Sequence, residues 1–121
     1  MPQRVLVVED DPDTAALLSL LIGTEGYEVH VVATLRDARA AFAGLAPALV
    51  VLDVVLPDGD GLTLCSDLRG RRPRVPVVVV TARVDAATRA ASLAAGCAAF
   101  IAKPFELDEI VAEIHAAIGP P

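Results

Sequence analysis

The chain has 121 residues, of which 55% are hydrophobic and only 3% aromatic, and its formal net charge is −6. This length fits one domain with its own core, and the hydrophobic content excludes an intrinsically disordered chain. The acidic balance disfavours direct contact with nucleic acid. Short apolar runs bounded by charge or proline, with no signal peptide before them, predict a cytoplasmic protein without membrane contact.

The hydrophobic pattern predicts strands that alternate with helices along the whole chain. In chain order these are a strand over 4–8, a helix over 12–25, a strand over 27–32, a helix over 35–45, a strand over 49–52, a helix over 62–69, a strand over 75–80, a helix over 86–96, a strand over 98–102 and a helix over 106–118. Residues 54–61, with one proline and two glycines, are expected to form a tight loop. Strict alternation without linkers predicts a single parallel sheet with helices on both faces.

Three polar residues stand where helices are expected to begin. Asp11 precedes Pro12, and Thr34 and Asp85 precede the second and fourth predicted helices. Their side chains are suited to N-capping, and proline is favoured in the first helical turn. Capping therefore explains Asp11, but Glu9 and Asp10 need another explanation, unless they only gain from the dipole of the helix that follows.

Asp53 follows the apolar run 49–52, which is typical of a strand buried on both faces. By itself Asp53 could be an ordinary turn residue. However, Glu9 and Asp10 end the first strand, Thr81 the fourth and Lys103 the fifth. Because ligands of open parallel sheets bind beyond the carboxyl ends of the strands, these polar side chains are expected to meet at one edge.

This set of side chains predicts a chemistry. Three crowded carboxylates call for a hard divalent cation, and ligands that are all oxygen suit Mg²⁺. Lys103 supplies a positive charge for an anion, and Thr81 supplies a hydroxyl donor. A site with Mg²⁺, a carboxylate nucleophile, a lysine and a threonine is suited to accept a phosphoryl group.

Other reactive side chains carry weaker signals. Cys65 and Cys97 lack metal-ligand spacing and are expected to be buried, reduced thiols. His30 is expected to point outward from the second strand, without a second histidine near it for a metal. The basic stretch 71–74 is interpreted as a solvated loop rather than a phosphate site.

The chain resembles the response-regulator receiver domains of two-component systems. The resemblance rests on Val-Val-Glu-Asp-Asp-Pro at 7–12, Leu-Asp-Val-Val-Leu-Pro-Asp-Gly-Asp-Gly at 52–61, Val-Val-Thr-Ala at 79–82 and Lys-Pro-Phe at 103–105. Each motif alone is weak, but all four occur in order, each at the end of a predicted strand. The resemblance implies one receiver domain over 1–121, without an output domain in this chain, and a flavodoxin-like doubly wound sheet of order 2-1-3-4-5 with five helices.

The resemblance also implies a function for the strand-end residues. Asp53 would be the phosphoacceptor, receiving phosphate from a sensor histidine kinase or a phosphotransfer protein. Glu9, Asp10, Asp53 and the backbone carbonyl of Val55 would hold Mg²⁺. The domain would be a signalling switch rather than an enzyme, catalysing at most its own phosphotransfer and slow self-dephosphorylation.

Four further residues take roles from the resemblance. Thr81 would donate a hydrogen bond to a phosphoryl oxygen, and Lys103 would pair with the phosphoryl group. Lys103–Pro104 would be a cis peptide, which X-Pro bonds tolerate. Phe100 would be the switch aromatic. Phosphorylation would change the surface of helix four, strand five and helix five, where an output domain or partner protein would dock.

This chain departs from the family pattern at several positions. Leu56 replaces a frequent methionine, and Phe100 lacks the hydroxyl of the frequent tyrosine. Ala98 and Ala99 stand where members with winged-helix output domains often have an acidic-aromatic stretch, and the last helix is acidic or neutral where those members have basic residues. These changes weaken the case for the salt-bridged dimer of that subfamily, and a phosphorylation-dependent homodimer stays open.

Three other classes of protein share part of this pattern. A haloacid-dehalogenase-like phosphohydrolase needs a second aspartate two residues after its nucleophile, where this chain has Val55. A flavodoxin-like electron carrier needs a hydroxyl-rich phosphate loop after the first strand, where Glu9 to Asp11 would repel phosphate. A degenerate receiver that only binds partners would not need the complete set of site residues.

Overall fold

The computed structural model describes residues 2–121. Its elements in chain order are β1 (Arg4–Val8), α1 (Pro12–Thr24), β2 (Glu28–Val32), α2 (Leu35–Leu45), β3 (Leu49–Leu52), β4 (Val55–Leu56), β5 (Gly59–Asp60), α3 (Leu62–Arg69), β6 (Val77–Thr81), α4 (Ala86–Ala94), β7 (Ala99–Ala102) and α5 (Leu107–Ile118). Five parallel strands form one sheet in the order β2-β1-β3-β6-β7. Counted among these five strands alone, the order is 2-1-3-4-5, which confirms the predicted doubly wound fold.

The alternation of side chains along each strand divides the core between the two faces of the sheet. One buried cluster joins the sheet to α2, α3 and the end of α4, through residues such as Leu35, Phe42 and Leu68. The other joins the opposite face to α1 and α5, through residues such as Leu18 and Ile114. Because helices cover both faces, the central strand β3 is buried at every position.

The predicted N-caps are present. The Asp11 carboxylate accepts a hydrogen bond from Thr14 N at 3.1 Å, and Asp85 accepts one from Thr88 N at 3.0 Å. The Thr34 hydroxyl oxygen accepts one from Asp37 N at 3.0 Å. These side chains satisfy backbone donors that the first turn of a helix leaves free, so each helix begins where the sequence predicts.

Several boundaries differ from prediction by one or two residues. The fourth strand of the sheet begins at Val77 rather than at residue 75 and ends at Thr81, since Pro76 has no N–H to pair. Helix α4 ends at Ala94, two residues before Gly96, whose φ is +92°. The tight loop predicted over 54–61 contains a short two-stranded antiparallel hairpin, formed by β4 and β5, which the sequence analysis did not predict.

The reactive side chains outside the strand ends are mostly as expected. Both thiols are free, Cys65 is buried as predicted, and Cys97 is only partly buried, so the prediction of a buried thiol was wrong for Cys97. His30 is exposed on β2. No helix within residues 2–121 has the length and the apolar character that crossing a membrane requires.

Candidate phosphoacceptor site

Parallel strands bring the strand-end residues together at one edge of the sheet. Leu52 pairs with Val8 on one side and with Val79 on the other, so Asp53 follows between the ends of β1 and β6. Thr81 and Ala102 are register partners, and Lys103 comes next along the chain. The edge therefore collects the five side chains that the sequence predicts to meet there.

Lys103 connects the acids. Its Nζ lies 2.5 Å from Glu9 Oε1 and 2.7 Å from Asp53 Oδ2. Glu9 is 2% exposed and Asp53 7% exposed, so both carboxylates need a partner inside the protein. The ammonium group supplies it, and it thereby stabilises two negative charges at the edge of the core.

Burial and hydrogen bonding shift the pKa values of this group in opposite ways. Burial raises the pKa of Glu9 above its ordinary value, although the hydrogen bond from Lys103 acts against it. Burial acts to lower the pKa of Lys103, but its hydrogen bonds to Asp53 and Glu9 outweigh burial, and the pKa is raised. Lys103 therefore stays charged at neutral pH.

Asp10 completes the acid cluster from the solvent side. One carboxylate oxygen each from Glu9, Asp10 and Asp53 lies within 4.8 Å of the others, and Asp10 is exposed. Three oxygen ligands at this spacing, one of them open to solvent, match the preference of Mg²⁺ for carboxylates and water. The donor set therefore fits the metal that the sequence predicts.

The loop after Asp53 folds back onto it. Val55 N donates to Asp53 Oδ1 at 3.2 Å, and Gly61 N donates to the Val54 carbonyl at 2.7 Å. A Cβ atom on Gly61 would lie 2.2 Å from the Asp53 carbonyl oxygen, so only glycine allows this close approach. The hairpin thus holds the backbone of Val55 next to the Asp53 carboxylate.

Thr81 and Phe100 lie on the same face of neighbouring strands. Thr81 pairs with Ala102, two residues after Phe100, and side chains two apart on a strand share a face. The Thr81 hydroxyl is buried and accepts from Arg83 N at 3.2 Å. Phe100 is half-buried against the cluster of α2, α3 and α4. The ring therefore lies on the same face of the sheet as the hydroxyl, two residues before the register partner of Thr81.

The remaining predicted positions also lie at this edge. The Lys103–Pro104 peptide bond is cis. The side chain of Val55 is exposed, and Val55 begins the hairpin that follows Asp53.

Two residues at the site escaped the sequence analysis. The Arg89 guanidinium, on α4, lies 4.5 Å from the centre of the Phe100 ring, a cation–π distance. The Asp58 carboxylate reaches the first turn of α2. Position 58 was visible only as part of a turn motif, and an arginine on an alanine-rich helix indicates nothing about the ring it will meet.

Comparison with known proteins agrees with this geometry. Residues 5–115 match the family model of the response regulator receiver domain. The chain belongs to this family. Transcriptional regulatory protein TcrA of Mycobacterium tuberculosis is 44% identical over 113 residues, which are 93% of this chain and 45% of TcrA. The chain spans about half the length of the curated relatives it matches.

Solved receiver structures share the fold. A response regulator from Chloroflexus aurantiacus superposes with a TM-score of 0.91 at 32% identity and covers 98% of both chains. The receiver domain of the sensor histidine kinase PA1611 from Pseudomonas aeruginosa has a TM-score of 0.87 at 28% identity, covers 98% of this chain and 99% of its own, and was solved with a magnesium ion coordinated in its active-site cleft. The chain is thus a receiver domain of the two-component response regulators, a signalling module rather than a metabolic enzyme.

Proposed function

We propose that this receiver accepts a phosphoryl group on Asp53 from a phosphohistidine of a sensor histidine kinase or phosphotransfer protein. The observation that carries the proposal is the setting of Asp53, which ends the central strand within 4.8 Å of two further acids and 2.7 Å from Lys103. An Asp53 carboxylate oxygen would attack phosphorus as the bond from phosphorus to the histidine nitrogen breaks. The electron pair of that bond stays on the ring nitrogen. If the phosphorylated ring carried no N–H, it takes up one proton from solvent, so the released imidazole is neutral.

Glu9, Asp10, Asp53 and the Val55 carbonyl are the proposed Mg²⁺ ligands. The fit of the donor set supports this, as does the magnesium ion in the related Pseudomonas receiver. When bound, the ion would neutralise charge on the phosphoryl oxygens during transfer. Glu9 and Asp53 are already held in place by Lys103, while the exposed Asp10 is available to the ion from solvent.

Lys103 and Thr81 are proposed to hold the transferred phosphoryl group. Lys103 already contacts Asp53 Oδ2, so a small movement would let its ammonium pair with an oxygen on phosphorus. The Thr81 oxygen accepts one hydrogen bond, and its own proton is free to be donated to that group. Charge-assisted hydrogen bonds of this kind are stronger than neutral ones, so phosphorylation should draw Thr81 toward Asp53.

The output of the switch is proposed to pass through Phe100. Movement of Thr81 would open space beside β7 into which the ring can turn, and burying a phenylalanine ring is worth about 1.5–3 kcal/mol. A change from 1:99 to 99:1 needs about 5.5 kcal/mol of differential stabilisation. The contacts of Thr81 and Lys103 with the phosphoryl group must supply the rest. The surface of α4, β7 and α5 would then bind an output domain or partner protein.

The partners follow from the same proposal. TcrA is a transcriptional regulatory protein of about twice this length, which supports a role for the receiver in controlling a regulator of transcription. The domain itself, with a net charge of −6, is not expected to contact nucleic acid. A phosphorylation-dependent homodimer and a cytoplasmic location belong to the same proposal.

A phosphohydrolase is the competing function. Turnover chemistry would need an acid two residues after Asp53, and that position is Val55, whose side chain cannot transfer a proton. Asp53 would therefore keep its phosphoryl group until slow self-dephosphorylation, and the domain would act as a switch.

Labelling with acetyl phosphate and Mg²⁺ tests the phosphoacceptor. We expect the wild-type protein to gain one phosphoryl group by intact mass, and Asp53→Asn to gain none. Asp67→Asn, which changes an exposed aspartate on α3, is the control and should be labelled as the wild type is. Labelling that survives in Asp53→Asn would place the phosphoacceptor elsewhere.

Thermal stability with and without Mg²⁺ tests the metal site. Asp10→Asn should be at least as stable as the wild type without the ion, because removing one acid relieves repulsion in the cluster. It should gain less on adding millimolar Mg²⁺, since a ligand that binds only the folded state stabilises it by an amount that grows with the logarithm of the affinity. An equal gain in the two proteins would remove Asp10 from the site.

A further inference from the structure

Asp58 connects the loop after the phosphoacceptor to a helix earlier in the chain. Its Oδ1 accepts a hydrogen bond from Leu35 N at 2.9 Å, and its Oδ2 accepts one from Arg36 N at 2.9 Å. These two N–H groups lie in the first turn of α2 and have no partner within the helix. Both carboxylate oxygens of Asp58 are therefore used in one contact between distant parts of the chain.

The contact adds a second cap to α2. The first is local, because the Thr34 hydroxyl accepts from Asp37 N within the same turn. The second comes from the tip of the β4–β5 hairpin and uses the charge that a helix N-terminus favours. The hydrogen bonds from Arg36 N and Leu35 N lower the pKa of Asp58, which keeps the carboxylate charged.

The hairpin is held at its base and at its tip, and Leu56 of its first strand packs in the core cluster that contains Leu35. Its base is fixed by the hydrogen bond from Gly61 N to the Val54 carbonyl, and its first strand begins at Val55. Next to Asp58, Gly59 lies against the buried side chain of Leu35. The hairpin is thus attached at its base to the Asp53 segment and at its tip to α2, and Val55 lies between the two attachments.

We propose that Asp58 is a positioning residue for the metal-binding loop. By fixing the hairpin to the N-terminus of α2, it holds the Val55 backbone where the carbonyl can join Asp53 in binding Mg²⁺. The proposal rests on the proposed function, which places the ion at this edge. It adds a residue outside the acid cluster on which the affinity for the ion depends.

Two variants separate positioning from helix capping. Asp58→Ala and Thr34→Ala each remove one cap from α2, but only Asp58→Ala detaches the hairpin. Residues that orient a metal ligand typically change affinity by 10- to 100-fold when replaced, so we expect Asp58→Ala to weaken Mg²⁺ binding about tenfold. Thr34→Ala should leave the affinity within about twofold of the wild type. The measurement is a Mg²⁺ titration followed through the amide resonances of Asp53 and Val55 by NMR, without phosphorylation.

Amide exchange gives a second readout of the same contact. In Asp58→Ala, the amides of Leu35 and Val55 should both exchange faster, whereas Thr34→Ala should speed exchange only within α2. If Asp58→Ala is too unstable to titrate, Asp58→Asn, which keeps one acceptor oxygen, takes its place with a smaller expected loss of affinity.

The outcomes distinguish this proposal from the proposed function. Equal Mg²⁺ affinities in Asp58→Ala and Thr34→Ala would overturn the positioning role and leave Asp58 as a helix cap, with the phosphoacceptor site intact. A wild-type protein whose Asp53 and Val55 resonances do not respond to Mg²⁺ would overturn the metal site and the positioning role together.

Discussion

The two halves of the site differ in how fully their polar groups are satisfied. In the acid half (Glu9, Asp53 and Lys103), buried carboxylates share one ammonium at 2.5 and 2.7 Å. In the aromatic half (Thr81, Phe100 and Arg89), a buried hydroxyl accepts one backbone hydrogen bond, and a half-buried ring contacts a guanidinium on the exposed side of α4.

This difference indicates that the acid half is preformed, whereas the aromatic half is the part expected to change on phosphorylation. The acid half is arranged before any ligand binds, because unpaired buried charges are too costly to leave free. In the aromatic half the Thr81 hydroxyl accepts one hydrogen bond from Arg83 N and can still donate its own proton, so we expect a new charge on Asp53 to change this half. A switch needs both properties, a fixed place where phosphate arrives and a movable element that senses it.

The largest expected effect comes from breaking the acid half. Lys103→Met removes the cation that Glu9 and Asp53 share, and leaving one partner of a buried ion pair alone costs about 3–5 kcal/mol. Because the Lys103 side chain is 18% exposed, we expect a loss near the lower value, about 3 kcal/mol, in urea unfolding without Mg²⁺. Millimolar Mg²⁺ should recover part of the loss by replacing the missing charge.

Arg39→Met is the matched control for Lys103→Met. Arg39 forms an exposed ion pair with Asp67, and such pairs contribute less than about 1 kcal/mol. If the two variants lose the same stability, the Lys103 contacts do not stabilise the acid half in the way the geometry indicates.

Thr81→Ala should disconnect the two halves. Phosphorylation of Asp53 should continue, because the acid half is intact, but the response at Phe100 should be largely lost. A hydrogen bond to a charged group contributes about 1.5–3 kcal/mol, so the switching equilibrium should shift by roughly 10- to 150-fold. A fluorine label on Phe100 reports the change by NMR. Thr63→Ala, on α3, is the control, and an unchanged phosphorylation-induced shift in Thr81→Ala would refute the coupling.

Glu9 and the capping residue Asp85 should contribute to folding stability with opposite dependence on pH. Burial, against the hydrogen bond from Lys103, raises the pKa of Glu9 above 4.5, so the folded protein binds this proton before the unfolded chain does. The contribution of Glu9 to stability therefore increases as pH falls through the window just above 4.5. The hydrogen bonds from Thr88 lower the pKa of Asp85 below 3.8, so its stabilisation is present above 3.8 and is lost as pH falls below it.

Carboxyl-carbon NMR titration measures both groups in one protein. We expect the midpoint of Glu9 above 4.5 and that of Asp85 below 3.8. Glu9→Gln is the control, and it should remove the dependence of stability on pH just above 4.5. A Glu9 midpoint below 4.5 would mean that the attraction of Lys103 outweighs burial.

The smallest effect is expected at Arg89. A cation–π contact at an exposed position contributes about 0.5–1 kcal/mol, so Arg89→Ala should change the balance of Phe100 conformations by only about twofold to fivefold. Arg89→Lys keeps the charge but loses the planar group, so its effect on the balance of Phe100 conformations should be smaller than that of Arg89→Ala. The fluorine label on Phe100 measures both, with Arg36→Ala on α2 as the control. A label that responds equally to Arg36→Ala and Arg89→Ala would show that the stacked guanidinium does not influence the ring.

Local sequence patterns determined most of the helices and strands, and they indicated which side chains meet at the edge of the sheet. Apolar runs and capping residues such as Asp11 and Thr34 specify elements within a few residues of themselves, so they can be recognised without the fold. Parallel strands place their carboxyl ends together, and from this rule the meeting of Glu9, Asp53 and Lys103 could be predicted.

Contacts between distant segments were decided only by the tertiary structure. The sequence suggested three acids that repel one another until a metal binds, whereas Lys103 reaches Glu9 across 94 positions and already pairs with it. Asp58 looked like a turn residue because its partners, Leu35 N and Arg36 N, are backbone groups that carry no side-chain signature. Such contacts depend on where helices pack on the sheet, and that placement comes from the burial of whole faces rather than from any local pattern.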